Sequence, residues 1–531
     1  MQVRIRNHRA PLALGASSRV ALGILLSKIA GLFRDLIFAH FFGSSVVADA
    51  FRGAMRIPNL LANLLGEGVL SASFVTVYAK LLALGEKEAA EHLAAAVFGI
   101  LALLCSALVI VGVLLAPYLV DVITPGFGGE RRALTIQIVR ILFPGAGLMV
   151  MSAWCLGVLN SHRRFLLSYT APVAWNAAMI ATMLLLGGLR QRELALDLAW
   201  GSVIGSGLQF LVQLPHVLKL LPAFRPVLET HSKHVRSVVR NFGPVFVSRG
   251  VVQVSAYIDS VIASWLPIGA MAYLFYGQTL AMLPIGLFSM SVSAAELPSL
   301  SGAVGSQEEI AGFLRRRLSV GLRRIAFFVI PSAAAFLVLG DVIAAGIYQS
   351  GKFTHNDAVF VWAVLAGAAV GLLASSLGRL YSSAFYALLD TRTPLRFAII
   401  RVAITTALGF FSALVLPGWL GVNARWGVAG LTASAGVAGW VEFTLLRRAL
   451  AKRIGATPLG VDFVAKLWSM ALIAAGAGFG IKIALGVEHP KPLLIIVVLA
   501  YAILYFGGTM AMGVEEAKTA LLTFTRPFRL K

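Results

Sequence analysis

RDLIFAHFFGSSVVADAF (residues 34–51) and IDSVIASWLPIGAMAYLF (258–275) align without a gap at an offset of 224. Asp35 falls on Asp259, Ala39 on Ala263, Ala48 on Ala272 and Phe51 on Phe275. Nearby, Pro58 meets Pro284, Gly126 of TPGF meets Gly351 of SGKF, and Pro172 meets Pro394, at offsets of 226, 225 and 222. One such match is chance. Their order and near-common offset mark an internal duplication. The first copy begins in KIAGLFRDLIFAHFF (28–42), where Lys28, Arg34 and Asp35 interrupt an apolar run. In a bilayer each such group costs several kcal/mol unless it is paired or wetted.

The rest of the chain says that a bilayer is its solvent. Of 531 residues, 59% are hydrophobic and 13% charged, with a mean hydropathy of +0.86. A soluble domain carries about 25% charged residues. The net charge of +22 does not point to nucleic acid here, because membrane proteins collect Lys and Arg in cytoplasmic loops beside anionic lipid. Two cysteines, Cys105 and Cys155, lie in apolar runs and offer neither a disulfide framework nor metal-ligand spacing. The basic N-terminus has no clean cleavage site and reads as a cytoplasmic amphipathic lead-in.

A spanning helix needs about 20 apolar residues. The pattern predicts fourteen, near 17–42, 48–80, 91–120, 133–159, 166–188, 194–219, 237–266, 269–300, 319–349, 356–388, 395–416, 425–450, 461–486 and 492–522. With the N-terminus inside, the cytoplasmic loops hold Arg163 and Arg164, Lys219 to Arg240, Arg315 to Arg324, Arg392 and Arg396, and Arg447 to Arg453. Opposite loops are nearly bare, with Arg190, Arg192, Lys352, Arg425 and Lys491 as the main exceptions. Both termini are therefore expected in the cytoplasm. The duplication offset spans six helices, so the copies run parallel, as in transporters with two lobes around a central cavity. We expect an all-α polytopic membrane protein with an N-lobe over 1–225, a C-lobe over 226–455, and two further helices with a tail over 456–531.

The second predicted helix carries Asp49, Arg52, Arg56, Asn59, Asn63 and Glu67 at spacings of 3, 4, 3, 4 and 4, which places them on one face. The stripe is about 27 Å long and cannot face lipid. The first helix adds Lys28, Arg34 and Asp35; the seventh adds Arg249, Gln253 and Asp259. Simple pairing accounts for some of these charges, for example Arg34 or Arg52 with Asp49, or Arg56 with Glu67. Over the three helices, however, five cations face four acids. Four of those cations are arginines, suited to bidentate phosphate binding. A wet, cationic cavity fits an anionic, phosphorylated cargo. No Walker A, HExxH or CxxC motif is present, and no cofactor or metal is expected. His40, Trp154 and Trp175 read as packing or interfacial residues. Helices 3, 5, 11 and 13 are nearly bare of charge, which argues against a proton-pumping respiratory subunit. No large outer loop is present to hold the catalytic acids of a glycosyltransferase.

The segments DAFRGAMRIPNLLANLLGEGVLSASFV (49–75), GVLNSHRRFLLSYTAPVAWN (157–176), LPSLSG (297–302), SGKFTHND (350–357) and AFYALLDTRTPLR (384–396) resemble the lipid II flippase (MurJ/MviN) family. That family lies within the multidrug/oligosaccharidyl-lipid/polysaccharide exporter superfamily. The resemblance implies fourteen helices, a cationic central cavity and export of undecaprenyl-diphosphate-linked peptidoglycan precursor across the bacterial inner membrane. SKIAGLFRD (27–35) matches the family's Ser-Arg…Arg-Asp pattern with Lys28 in place of the first arginine, and Asp49, Asn59 and Glu67 match its second-helix motif. Departures occur too. Ala62 and Asn63 stand where an arginine is common, Gln278, Thr279 and Met282 replace an Asp-Arg…Glu pattern, and Thr76 replaces a proline. Arg52 and Arg249 appear where the family pattern is apolar or small.

The expected function is lipid II flipping by alternating access, without covalent chemistry and without an enzyme's catalytic residues. Lys28, Arg34, Arg52, Arg56, Asn59, Arg249 and Gln253 are expected to bind substrate. Asp35, Asp49, Glu67 and Asp259 are expected to hold the cations and to couple transport to ions or voltage. The departures leave open export of another polyprenyl-diphosphate-linked glycan. A cation-coupled small-molecule antiporter would want an acidic cavity. Expected partners are the lipid-linked precursor, membrane lipids and the cell-wall synthesis machinery, with no nucleic acid and a monomeric chain.

Overall fold

The protein is described from a computed structural model covering residues 13–525, apart from 294, 295, 297–305, 389, 458 and 487. The LPSLSG segment (297–302) therefore lies outside the described residues. Side chains of residues 13–22, 67, 244, 245, 247–256, 307 and 521–525 also lie outside the description, and so do those of three expected site residues, Glu67, Arg249 and Gln253.

The described residues are helical, with one isolated β-bridge between Ser350 and Phe353. Twelve helices among them are long and apolar enough to cross a membrane: α2 (Val46–Ala83), α3 (Lys87–Leu114), α4 (Gly129–Ser161), α5 (Phe165–Leu186), α6 (Gln191–Leu218), α8 (Ala270–Ser293), α9 (Glu308–Tyr348), α10 (His355–Ala387), α11 (Arg392–Trp419), α12 (Ala424–Ile454), α13 (Val461–Leu485) and α14 (Pro490–Ala511). Two more have spanning length, α1 (Ala13–Phe42) with 30 residues and α7 (Lys233–Ser264) with 32. Fourteen helices of spanning length therefore match the number that the hydropathy pattern predicts. The last expected helix divides, since Gly513 turns the chain at φ +74° and a separate α15 follows at Glu515–Thr525. The ninth begins earlier than expected. Ser306 and Glu309 form a reciprocal capping box at its start, so Arg315, Arg316 and Arg317 ride on a helix rather than in a loop.

Among the described residues, those up to 42 and those from 46 to 261 pack as one compact unit, and residues 43–45 with those from 262 onward as a second. The core of the first surrounds Trp154, which is fully buried and meets the rings of Phe98 and Phe224 at 4.9 and 5.7 Å. In the second, α10 crosses α12 where Gly371 faces Gly436; a Cβ on Gly371 would lie 2.2 Å from the Gly436 Cα. Small residues let helices approach closely where apolar lipid supplies no drive for association.

The segments that align in sequence are followed by similar local features. Pro58 lies inside α2 and Pro284 inside α8, and each helix also contains a π-helical stretch, Ser71–Val75 and Ile285–Met290. The Gly43–Ser45 turn belongs by packing to the second unit. Gly43 has φ +55°, and a Cβ there would fall 2.5 Å from the Lys352 carbonyl oxygen. Its own carbonyl accepts from the Tyr276 hydroxyl at 2.9 Å. Ser44 and Tyr273 both donate to Asp357 Oδ1, at 2.5 and 3.0 Å, while Asp357 Oδ2 accepts from the Thr354 backbone and hydroxyl.

Candidate functional site

The Gly43–Ser45 turn reverses the chain, so residues at similar distances on either side share a depth. Arg34 lies about 12 Å before the end of α1 and Arg52 about 9 Å after the start of α2. Asp35 sits between them. Its Oδ1 accepts from Arg34 Nε at 3.2 Å, Arg34 Nη2 at 2.9 Å and Arg52 Nη2 at 3.2 Å. All three groups are largely out of solvent, with Arg34 the most accessible at 12% of its side chain. Two guanidinium groups share one carboxylate, which leaves a net positive charge on this trio.

Aromatic and amide groups fix the two arginines. Arg52 lies over the Phe38 ring at 3.9 Å and Arg34 over the Trp175 indole at 4.8 Å. Arg34 Nη1 also donates to Asn176 Oδ1 at 3.1 Å, while the Asn176 amide donates to the Pro172 carbonyl and so turns its oxygen toward the arginine. Trp175 in turn donates from Nε1 to the Ser202 carbonyl and hydroxyl at 3.1 Å. Asn176 lies outside the expected site residues, and Trp175 reads from sequence as a packing residue. The adjacent aromatic and amide about ten residues into α5 are the only sequence signal that marks them.

The remaining expected residues divide. Asp49 is fully buried and pairs with Arg131 of α4 at 3.4 Å. Arg131 lies over Phe127 at 4.0 Å and donates to the Gly126 carbonyl. That ion pair joins α2 to the start of α4, and Arg131 is a partner that no spacing pattern marks. Arg56 lies in electrostatic range of Asp259, Tyr257 and Arg52, and its carbonyl accepts from the Tyr257 hydroxyl at 2.7 Å. This brings together α2 and the end of α7, which carries Asp259. Asn59 lines a small cleft with Met55, Pro58, Trp175, Ser202 and Ser206. Asn63 and Lys28 are exposed. The stripe is not one straight face, because Gly66 interrupts the α-helix after Leu65 and Glu67 opens a new turn.

Charge also appears on helices that read as nearly bare in the sequence. Arg401 of α11 pairs with Glu442 of α12 at 3.0 Å, and Lys482 of α13 pairs with Asp341 of α9. A lone charge in an apolar helix counts as an interruption until its partner, dozens of residues away in sequence, is located. Among the described residues no group of three or more His, Cys, Asp or Glu side chains is placed to hold a metal.

A family profile described as lipid II flippase MurJ matches residues 38–500. The chain belongs to the lipid II flippase MurJ family. The MurJ match takes in α2 and α7 and begins just after Arg34 and Asp35. The lipid II flippase MurJ of Burkholderia cenocepacia is 32% identical over 511 residues, covering 93% of this chain and 96% of that protein. A probable lipid II flippase MurJ of Bdellovibrio bacteriovorus is 29% identical over 522 residues, 94% of each chain. Among solved structures, one described as lipid II flippase MurJ in an inward closed conformation superposes with a TM-score of 0.76 over 96% of this chain and 99% of the other, at 23% identity. An inward-facing multidrug resistance MATE family transporter of the MOP superfamily superposes with a TM-score of 0.61 over 82% of this chain and 98% of the other, at 17% identity. These two likenesses establish the MurJ and MOP fold for this polytopic membrane protein.

Proposed function

We propose that this protein flips lipid II, the undecaprenyl-diphosphate-linked peptidoglycan precursor, from the cytoplasmic to the periplasmic leaflet of the bacterial inner membrane. The observation that carries the reading is the MurJ match over residues 38–500. The shared Asp35 beside Arg34 and Arg52 gives it a chemistry. Lipid II is a diphosphate, and arginine offers paired N–H groups in a fork that fits phosphate oxygens. Asp35 holds both guanidinium groups in place when no anion is bound. Arg34, the more accessible, has N–H capacity beyond its bonds to Asp35 and Asn176. Arg52 adds its charge from the buried side, and Arg56, held with Tyr257 and Asp259, adds another. Lys28, Asn59, Arg249 and Gln253 complete the proposed substrate set, while Asp49, Glu67 and Asp259 balance its charge. The reaction is translocation: no bond is made or broken, and the protein is not an enzyme.

The chain works as a monomer with both termini in the cytoplasm and lobes over 1–225 and 226–455 followed by helices over 456–531, beside the cell-wall synthesis machinery. The test is complementation of a bacterial strain depleted of its own lipid II flippase. Growth and normal shape on expression of this chain, lost with Arg34→Ala at equal membrane abundance, are the expected results. Membrane-inserted protein that fails to restore growth would sink the reading and leave a different polyprenyl-linked glycan as the cargo.

A further inference from the structure

A second cationic site lies in the first unit, away from Arg34 and Arg52. The ends of α4 and α6 and the start of α5 enclose a cavity of about 510 Å³ lined by Leu159, Arg163, Arg164, Phe165, Leu166, Leu167, His216, Lys219 and Leu220. Three permanent cations stand around it and no acid lines it. The ion pairs found among the described residues include none of Arg163, Arg164 and Lys219, and all three side chains are exposed.

The backbone here is held in an unusual form. Arg163 has φ +58°, and it is the one non-glycine residue among those described that enters the left-handed region. That conformation is uncommon for any residue other than glycine, and strained positions cluster at functional sites. Its neighbour fixes the turn: His162 Nε2 and the Tyr78 hydroxyl are 2.9 Å apart. Burial, and then the adjacent Arg164 cation, lower the His162 pKa below its ordinary value.

We propose that this cavity binds the phosphate of an anionic phospholipid headgroup, with Arg163, Arg164 and Lys219 around the phosphate and the acyl chains along Leu166 and Leu167. The choice of a lipid over a free anion rests on the walls. Four of the nine lining residues are leucines and one is phenylalanine, and Leu166 is 41% exposed at the mouth. A soluble phosphate gains nothing from that surface, whereas a lipid covers it. The cavity opens where α4 and α6 end, which is where a headgroup lies when a helix spans the hydrocarbon. On the orientation proposed above, this is the cytoplasmic leaflet, and only that assignment rests on it.

The test uses the full chain in nanodiscs of phosphatidylcholine with a minor fraction of phosphatidylglycerol, followed by native mass spectrometry of retained lipid. Phosphatidylglycerol should be retained over phosphatidylcholine. The triple variant Arg163→Asn, Arg164→Gln, Lys219→Gln should weaken retention by about 100-fold, since each surface cation is worth roughly fivefold toward anionic lipid. Asparagine at 163 tolerates the left-handed backbone. A control that removes the same charge from the end of α12, Arg447→Gln, Arg448→Gln, Lys452→Gln, should retain phosphatidylglycerol normally. Equal loss in the control would reduce the effect to general surface charge and overturn the site. Displacement of the lipid by equimolar inorganic phosphate would mean a free-anion site instead. On the unaltered chain, a photoactivatable phosphatidylglycerol should label peptides covering 159–167 and 216–220; labelling confined to other segments would also overturn it. None of these readouts depends on flipping, so failure of the transport reading leaves them interpretable.

Discussion

Asp35 and Asp49 are both buried carboxylates facing arginine, yet their surroundings assign them different work. Asp35 is shared by two cations, and one of them, Arg34, is partly open to solvent. Asp49 faces Arg131, itself stacked on Phe127, and that pair ties two helices together. Breaking a buried pair from one side costs about 3–5 kcal/mol because it strands the remaining charge. Asp49→Asn should therefore lower thermal stability of the purified protein and its membrane abundance together, and the double change Asp49→Asn with Arg131→Met should recover part of both. Arg56→Ala makes the opposite case. It should abolish complementation while the protein stays in the membrane at normal abundance, whereas Arg448→Ala on the exposed end of α12 should be tolerated. Normal growth with Arg56→Ala at native expression would remove this residue from the transport site.

At the scale of the element, the DTRTP run shows how a motif recognised as a string is a piece of local chemistry. Asp390 precedes α11. Its Oδ1 accepts from the backbone N–H groups of Arg392 and Thr393, both at 3.0 Å. Its Oδ2 accepts from the Thr393 hydroxyl at 2.7 Å and from Arg453 at the end of α12 at 2.6 Å. The hydrogen bonds from Thr393, and then Arg453, lower the Asp390 pKa from its ordinary 3.8 to about 2. Stabilisation from a carboxyl lowered in the folded state is complete above its unfolded pKa and is lost as pH falls through the folded one. Thermal stability should thus be flat in this contribution above about pH 4 and should fall between about pH 4 and pH 2. Asp390→Asn should lower the melting temperature at pH 7 and remove that part of the acid dependence. An unchanged acid limb in the variant would assign the loss to other carboxyls.

Orientation belongs to the whole molecule. Cysteine substitutions for labelling need open, unstrained positions, and the structure supplies them: a Cβ at Gly188 would have no neighbouring atom within 4 Å, and Glu488 is exposed. Cysteines at Gly188 and Glu488 should react with an impermeant thiol reagent added to intact cells, while cysteines at Glu86 and Ser306 should react only after the membrane is opened. Native Cys105 and Cys155 are buried and should stay silent. Labelling of Glu86→Cys from outside would invert the proposed topology.

Helix number and membrane class were legible in the residues alone, because hydropathy and helical spacing are properties of neighbours along the chain. The arginines of the first two helices were legible for the same reason: charges at spacings of three and four in apolar surroundings stand out without any fold. Their partners were not. Asp35 with Arg52, Asp49 with Arg131, Arg34 with Asn176, and Arg401 with Glu442 join residues between 17 and 142 positions apart. No periodicity records those distances. Which cation a carboxylate chooses depends on which helix packs beside it and at what depth, and a buried charge takes the partner that packing brings within hydrogen-bond reach. The chain's own order thus determined that it spans a membrane and carries positive charge into it; only tertiary packing decided which of those charges hold helices together.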